Sequence, residues 1–516
     1  MGDLPPLIRA MLSPSFYPHR PKRVELLQTH ISYVFLTGEL VYKVKKPVDF
    51  GFLDFTTLEK RRHFSEEELR LNRRLSPEIY LEVTEIKEED GRFSLGGEGE
   101  TVEVVVVMKQ LPASRNMERL LEEGKVTEGM VDELASLIAS FHRSARTDPY
   151  ISSFGEAEKV AVSIVENFEQ TSSFIGVTIP KEWYEELRDY SYGFLEERKG
   201  LFSRRVAEGR VREGHGDLHT QNVYFVDKIY VLDCIEFNER FRFLDVANDI
   251  AFLLMDLEHK GAWEVANRFL NSYLAESGDY GLIPLLRFYK IYRAYVRGKV
   301  IGFETRMEDI PIEQRERAKE RARGYFALSY RYLTEGRRPF LLATTGVIGS
   351  GKSYLSLKLA PKLGAVVIRS DALRKALAGL SPRQKCHEPF LQGIYYPEMT
   401  ERVYEEMVRQ AREILEEGIP VILDGSFSKR EQRRKVLELA SEGNYPYLFL
   451  HTQCPLPLIK ERLRGREDIS DGRLEILPSH LNYYEPPEEI PRDHLMGVST
   501  EGDPSLDPIL EFLGLK

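Results

Sequence analysis

GVIGSGKS, residues 346–353, follows the apolar run FLLATTG (340–346) and leads into SYLSLKLAPKLG (353–364), which reads as a strand, a glycine-rich turn and a helix. Gly346, Gly351, Lys352 and Ser353 match GxxxxGK[ST] in the setting that the pattern requires. The glycines at 346, 349 and 351, with Ser350 between them, let backbone N–H groups approach phosphates at a helix N-terminus. Lys352 can neutralise β and γ oxygens, and the Ser353 hydroxyl can ligate magnesium. Working outward, AVVIRSD (365–371), a long helix from about 398 to 417, PVILDG (420–425), SKREQRRKVLELA (428–440), YPYLFLHT (445–452) and LPLIKERLRG (456–465) alternate strand with helix. That alternation predicts an α/β P-loop domain with a parallel sheet. Asp424 ends a buried strand at a Walker B-type position, from which a carboxylate can hold magnesium. Asp371 follows another strand with Arg374 one helical turn on; an N-capping acid beside a surface arginine is the alternative there.

A second stretch, HGDLHTQN (215–222), places Asp217 and Asn222 five apart, ahead of a hairpin at 223–237 that carries Asp233 and Glu236. This is the spacing of a kinase catalytic loop, in which an Asp takes the acceptor proton and an Asn holds magnesium. Hard oxygen ligands such as Asp233 and Glu236 suit the metal of a triphosphate. Upstream, HISYVFLT and LVYKVKKPV flank the turn Gly38-Glu39 as a hairpin, 57–75 is rich in helix formers, and TVEVVVVMKQL from Thr101 is a buried strand. A β-rich lobe to about residue 112 and a mostly helical lobe over 113–335 give a bilobal α+β expectation. A boundary near Gly336, in TEGRRP, then separates domains 1–335 and 336–516.

HGDLHTQN resembles the loop of aminoglycoside phosphotransferase-like kinases, and LDCIEF is similar to the DxE magnesium motif of methylthioribose kinases with one residue inserted. The resemblance implies Asp217 as catalytic base, Asn222 as a magnesium ligand with either Asp233 or Glu236, and a structural role for Asp249. Val41-Tyr42-Lys43 resembles the end of the kinase VAIK strand, which implies Val41 under adenine and Lys43 at the α and β phosphates, with Lys45 as the alternative. Glu68 is the implied partner of that lysine, and Glu67 the alternative. No GxGxxG precedes them, which suits small-molecule kinases. SDALR resembles the D-x-x-R element of P-loop polynucleotide kinases, within a domain similar to gluconate kinases and zeta toxins. Asp371 is then the implied base and Arg374 the acceptor or phosphate contact. ERLRGRE is similar to a lid that closes over the phosphoryl group, with Arg462 and Arg466 favoured over Arg464.

The two halves together resemble a bacterial family of predicted bifunctional kinases. ATP and Mg²⁺ are the implied cofactors, and hydroxyls of small molecules the implied acceptors. One alternative is a 5′-hydroxyl polynucleotide kinase in the second half; another is a nucleotide-binding regulatory module in one half.

The 516 residues suit two or three domains. The formal charge is −10, and residues 336–516 hold 25 basic against 26 acidic side chains, so net charge advertises no nucleic-acid surface. KREQRRK (429–435) is the one run that could grip a polyanion, or else the wet face of a helix. Cys234, Cys386 and Cys454 lack zinc spacing, His387 has no nearby metal partner, and no leader or spanning run is seen, so a cytoplasmic protein is expected. The acidic, proline-containing stretch 485–507 is expected to be loosely held.

Overall fold

The computed structural model describes residues 4–306, 311–336, 338–386, 388–464 and 470–515. They form two compact units: Met1–Val126, Ser144–Glu166 and Ser191–Leu253 make the first, and Thr127–Arg143, Asn167–Tyr190 and Leu254–Lys516 the second.

The first unit is built on an antiparallel sheet of β1 (Glu25–Gln28), β2 (Ser32–Leu36), β3 (Leu40–Lys45), β4 (Tyr80–Glu89), β5 (Arg92–Leu95) and β6 (Glu100–Lys109), in the order β1-β2-β3-β6-β4-β5. The valine run of β6 explains its central place, because β-branched side chains fit a pleated surface and here bury on both faces. Val105 and Val107 join Phe35, Tyr42, Val44 and Ile86 on one side. Val106 and Met108 join Ile79 and Tyr80 on the other.

Helix Leu58–Asn72 packs on β4 and β6, and its N-terminus is capped by the Thr57 hydroxyl, which accepts from the Lys60 N–H at 3.3 Å. Its buried residues, Arg61, Ser65, Glu68, Leu71 and Asn72, recur at three- and four-residue steps and are mostly polar. A buried helix face is normally apolar. Here that face carries charge to the sheet, where it meets the lysines of β3.

Further along, β7 (Val211–Glu213) pairs with β10 (Phe243–Asp245), and the shorter hairpin β8 (Val223–Phe225) and β9 (Ile229–Val231) lies between them in sequence. The expected hairpin over 223–237 is thus regular only to Val231.

The second unit joins helices, among them Trp263–Ser277, Ile283–Glu304 and Ile312–Thr334, to a five-stranded parallel sheet. Its strands are β11 (Leu341–Thr345), β12 (Val366–Arg369), β13 (Val421–Asp424), β14 (Tyr447–Gln453) and β15 (Leu495–Ser499), in the order β12-β13-β11-β14-β15. Leu342, Val367, Ile422 and Leu450 pack with Leu355 and Leu359 of helix Lys352–Leu363 in its core. The chain steps from β11 to one side and returns to the other, so a switch point lies beside β11, where ligands of such sheets bind at the carboxyl ends of the strands.

One expectation is corrected. The stretch 485–507 is not loose: β15 within it pairs parallel with β14 from Phe449↔Leu495 to Gln453↔Ser499, and Val498 packs into the core. The boundary drawn near Gly336 falls just before β11; the two compact units interleave along the chain, with the last crossing at Leu253/Leu254.

Candidate active sites

In the first unit β3 sends Lys43 and Lys45 to the same face, and Glu68 on the facing helix reaches both, at 2.8 Å from Lys43 Nζ and 2.7 Å from Lys45 Nζ. Lys43 also meets Asp233 at 2.6 Å, and Lys45 is paired with Glu236. Exposure separates the two lysines, since the side chain of Lys45 is 1% exposed and that of Lys43 14%. Lys45 is therefore sealed under the site while Lys43 faces its opening. Burial acts against both charges, yet the surrounding carboxylates outweigh it and raise both ammonium groups above their ordinary value. Burial would raise Glu68 as well, but the two lysines hold it below the usual carboxylate range. For Glu236 burial prevails over Lys45 and pushes it up. Glu67, the alternative partner, pairs with Arg70 at 2.8 Å and does not reach the lysines.

The loop 215–222 is shaped by Asp249, whose carboxylate accepts from the backbone N–H groups of His215 (2.7 Å) and Gly216 (2.9 Å). Gly216 has φ +84° and a Cβ there would lie 2.6 Å from the Phe241 carbonyl, so only glycine fits the turn. Asn222 donates through Nδ2 to the Asp217 carbonyl at 3.0 Å and to its Oδ2 at 3.3 Å, bonds that do not use its acceptor Oδ1. The hairpin brings the acids close: the Leu232 N–H donates to the Asn222 carbonyl at 2.9 Å, and Asp233 is the next residue. Asp233 has the left-handed φ of +67°, which Asp tolerates better than most residues, and its N–H donates to the Tyr80 hydroxyl at 3.1 Å. Its side chain is 50% exposed, whereas that of Glu236 is 5% exposed against Lys45.

His219 was missed by the sequence reading. Its Nδ1 accepts from the Gln221 N–H at 3.3 Å, so the ring proton sits on Nε2, which donates to Asp217 Oδ2 at 3.2 Å. The histidine therefore orients the acid. It lies inside the quoted motif, but no spacing rule singles it out.

In the second unit the P-loop closes on its neighbours. Gly346, Gly349 and Gly351 have φ of +142°, +78° and +90°, and a Cβ on Gly346 would lie 2.7 Å from Thr452 Oγ1. The Lys352 ammonium lies along the loop on the carbonyls of Gly346 (3.0 Å) and Val347 (2.8 Å). Ser350 contributes no side chain to a ligand, because its hydroxyl is buried at 2.6 Å from Thr452 Oγ1. Ser353 lines the cavity, and its hydroxyl has no partner among the described residues. The loop thus fits a phosphate chain: it admits only glycine, ends in a helix N-terminus and sets a cation and a free hydroxyl beside it.

That cavity, of about 550 Å³, takes in Lys352, Ser353, Asp371, Arg374, Asp424 and Arg462 together. Asp424 ends β13 opposite Arg369 of β12 and pairs with it at 3.3 Å, so an arginine that the sequence reading passed over shares the proposed metal acid. Asp371 has no hydrogen-bond or ion-pair partner among the described residues. Arg374 is buried, stacks on Tyr395 at 4.7 Å, and spends Nη1 on the Ile394 carbonyl and Thr400 Oγ1, both at 3.0 Å. Its Nε has no hydrogen-bond partner among the described residues. The reading of Arg374 as a plain surface residue is thereby set aside. Arg462 donates to the Thr500 carbonyl at 2.5 Å, and Arg466 lies outside the described residues, as does His387. His480 also lines the cavity; burial, with help from Lys352 and against Asp371, pushes it down to about 4, so it is neutral near pH 7.

The basic run is neutralised within the fold. Lys429 pairs with Glu485, Arg430 and the buried Arg433 with Glu489, Arg434 with Glu438, and Lys435 with Glu405. Among the described residues no group of three or more His, Cys, Asp or Glu could hold a metal. Magnesium needs less, since it is commonly held by one or two side-chain oxygens together with phosphate.

A mostly antiparallel lobe with a lysine–glutamate pair and an HGD loop, followed by a parallel sheet with a P-loop, defines the class: the chain joins a protein-kinase-like fold to a P-loop kinase fold. A family model described as an AAA domain matches residues 341–487. Uncharacterized protein Rv2004c of Mycobacterium tuberculosis and Uncharacterized protein Mb2027c of Mycobacterium bovis are each 30% identical over 456 residues, covering 88% of this chain and 88% of theirs. The chain belongs to the family of these mycobacterial proteins. Among solved structures, a choline/ethanolamine kinase family protein from Mesorhizobium loti covers 63% of this chain and 98% of its own at 12% identity and a TM-score of 0.37. A gluconokinase from Sinorhizobium meliloti covers 35% and 93% at 21% identity and a TM-score of 0.25. No described helix is long and apolar enough to cross a membrane.

Proposed function

We propose that this chain is a bifunctional ATP- and Mg²⁺-dependent phosphotransferase, with catalytic domains 1–335 and 336–516, each moving a γ-phosphoryl group to a hydroxyl of a small molecule. The observation that carries the reading is that each compact unit gathers its own set: Lys43, Glu68, Asp217, Asn222 and Asp233 in one, Lys352, Ser353, Asp371 and Arg374 around one cavity in the other.

In the first domain Val41 and Lys43 seat the nucleotide, and Asp217, aimed by His219 and Asn222, accepts the acceptor's proton as its oxygen bonds to the γ-phosphorus and the bond to the departing ADP breaks. Asp233 rather than Glu236 would face a metal, because Asp233, although paired with Lys43, is half exposed, whereas Glu236 is buried against Lys45. In the second domain Lys352 and the loop hold the phosphates, Asp371 takes the proton, and Arg374 and Arg462, with Arg466, contact acceptor or phosphoryl oxygens. Asn222 and Asp233 in the first site, and Ser353 and Asp424 in the second, would hold magnesium, which would supply charge neutralisation.

A 5′-hydroxyl polynucleotide kinase in the second domain draws support from Asp371 and the buried Arg374, while the carboxylate beside each cation in 429–435 counts against a polyanion track there. The test is transfer from γ-labelled ATP with Mg²⁺ to sugars, nucleosides and 5′-hydroxyl oligonucleotides, using wild type, Asp217→Ala and Lys352→Ala. Two small-molecule products, each lost in a different variant, are expected. Label on the oligonucleotide that only Lys352→Ala removes would instead make the second domain a polynucleotide kinase. Tight ATP binding without any label would make one half a regulatory module.

A further inference from the structure

β12 is an edge strand of the parallel sheet. On its inner side the Val366 N–H donates to the Pro420 carbonyl at 2.9 Å, so by alternation the amide and carbonyl of Val367 face outward, where no strand follows. Buried backbone groups must find partners, and exposed edges invite wrong ones. Here the partners are side chains from residues 263–280 of the same compact unit. Asn271 Oδ1 accepts from the Val367 N–H at 2.7 Å and its Nδ2 donates to the Ala365 carbonyl at 2.9 Å. Asn267 Nδ2 donates to the same carbonyl at 3.1 Å. The buried Tyr280 hydroxyl donates to the Val367 carbonyl at 2.9 Å and lies against the Arg369 backbone amide, the next donor on that edge. Flanking pairs between Glu264 and Lys362 and between Glu276 and Arg383 secure the same helix.

The strand so held runs straight into helix Ser370–Leu377, which carries Asp371 and Arg374. We propose that Asn271 and Tyr280 are positioning residues for the second site: residues ahead of the P-loop domain complete its edge strand and thereby place the acceptor-side acid and arginine. The inference rests on the reading of Asp371 and Arg374 as acceptor-side groups. It makes the helical segment 263–280 a working part of a site to which it gives no atom that touches substrate.

The test uses the full chain as wild type, Tyr280→Phe, which loses one hydroxyl, and Asn271→Leu, which keeps the size and loses both hydrogen bonds. Amide exchange is followed over residues 365–377 and over β14 and β15 as an internal control, and Lys352-dependent turnover of γ-labelled ATP is measured beside it. Each variant is expected to exchange about tenfold faster over 365–377, as the loss of a buried hydrogen bond implies, with β14 and β15 unchanged. Turnover is expected to fall by a similar factor with the KM for ATP within about twofold, a split that general loss of fold would not give. Unchanged exchange over 365–377, or faster exchange spread evenly through β14 and β15, overturns the inference. Faster local exchange with undiminished turnover overturns its catalytic part. If the wild type shows no Lys352-dependent turnover at all, the reading of the second site fails instead, and the exchange data still decide whether the two side chains hold the strand.

Discussion

Lys43 and Lys45 differ by two positions and face one glutamate, yet their burial assigns them different work. Removing the partner of a buried charge costs about 3–5 kcal/mol, because the remaining charge is left uncompensated. Lys45→Met leaves Glu68 its pair with Lys43 but strands Glu236 beneath the sheet, and is expected to lower stability by that amount in urea unfolding. Lys43→Met leaves Glu68 its second lysine and should cost about 1–2 kcal/mol while abolishing transfer by the first site. Equal destabilisation by both changes would contradict the division of labour drawn from their exposure. His480 offers a pH test. Its pKa falls from 6.5 to about 4 on folding, so between those values the unfolded chain binds a proton that the folded one refuses. Stability from this group is full above pH 6.5 and is lost as pH drops toward 4, by at most about 3 kcal/mol. His480→Asn should remove that slope, so its stability difference from wild type changes by that amount over the window; parallel curves would show that the ring is not held neutral.

At the scale of elements, the P-loop half was legible because each strand and helix announces its own period. FLLATTG, AVVIRSD, PVILDG and YPYLFLHT became β11 to β14 with ends within two residues or so of the sequence reading. β15 was not legible: LMGVS is short, flanked by proline and acid, and becomes a strand only because β14 offers it a ladder. The tail beyond it is equally committed, since Ile509 is fully buried in the core of the parallel sheet. Ile509→Ala is expected to cost about 2–5 kcal/mol in urea unfolding, whereas a loosely held tail would give less than about 0.5 kcal/mol. In the first half the hairpin, the helix and the valine-rich strand could be read, but β1, β4 and β5 could not. β1 and β5 are four-residue edge strands, and the place of each of the three is set by a neighbour: β1 by β2, β4 by β6 and β5 by β4. The same logic holds within the sites. Motif spacing singled out Asp217, Asn222, Lys352 and Ser353 as candidates, because the proposed chemistry would set such residues at fixed steps in sequence. It does not separate Asp233 from Glu236, or point to His219 and Arg369, because burial and cross-strand register set their surroundings.

Across the whole molecule, the −10 charge is not offset by any free basic track in 429–435, where each cation answers a carboxylate. Under the proposed function that balance favours compact substrates over a polyanion. The side chains that complete β12 have one more consequence, which lies in time rather than space. A ribosome makes residues 263–280 some ninety residues before it makes 365–369, and N-terminal parts fold first. The edge of the second sheet therefore emerges into a waiting clasp and is spared any spell as a sticky, half-made ribbon. A gene fragment that began at the P-loop would lack that clasp, so the two modules can be shuffled between proteins only if the helix travels with the sheet that it closes.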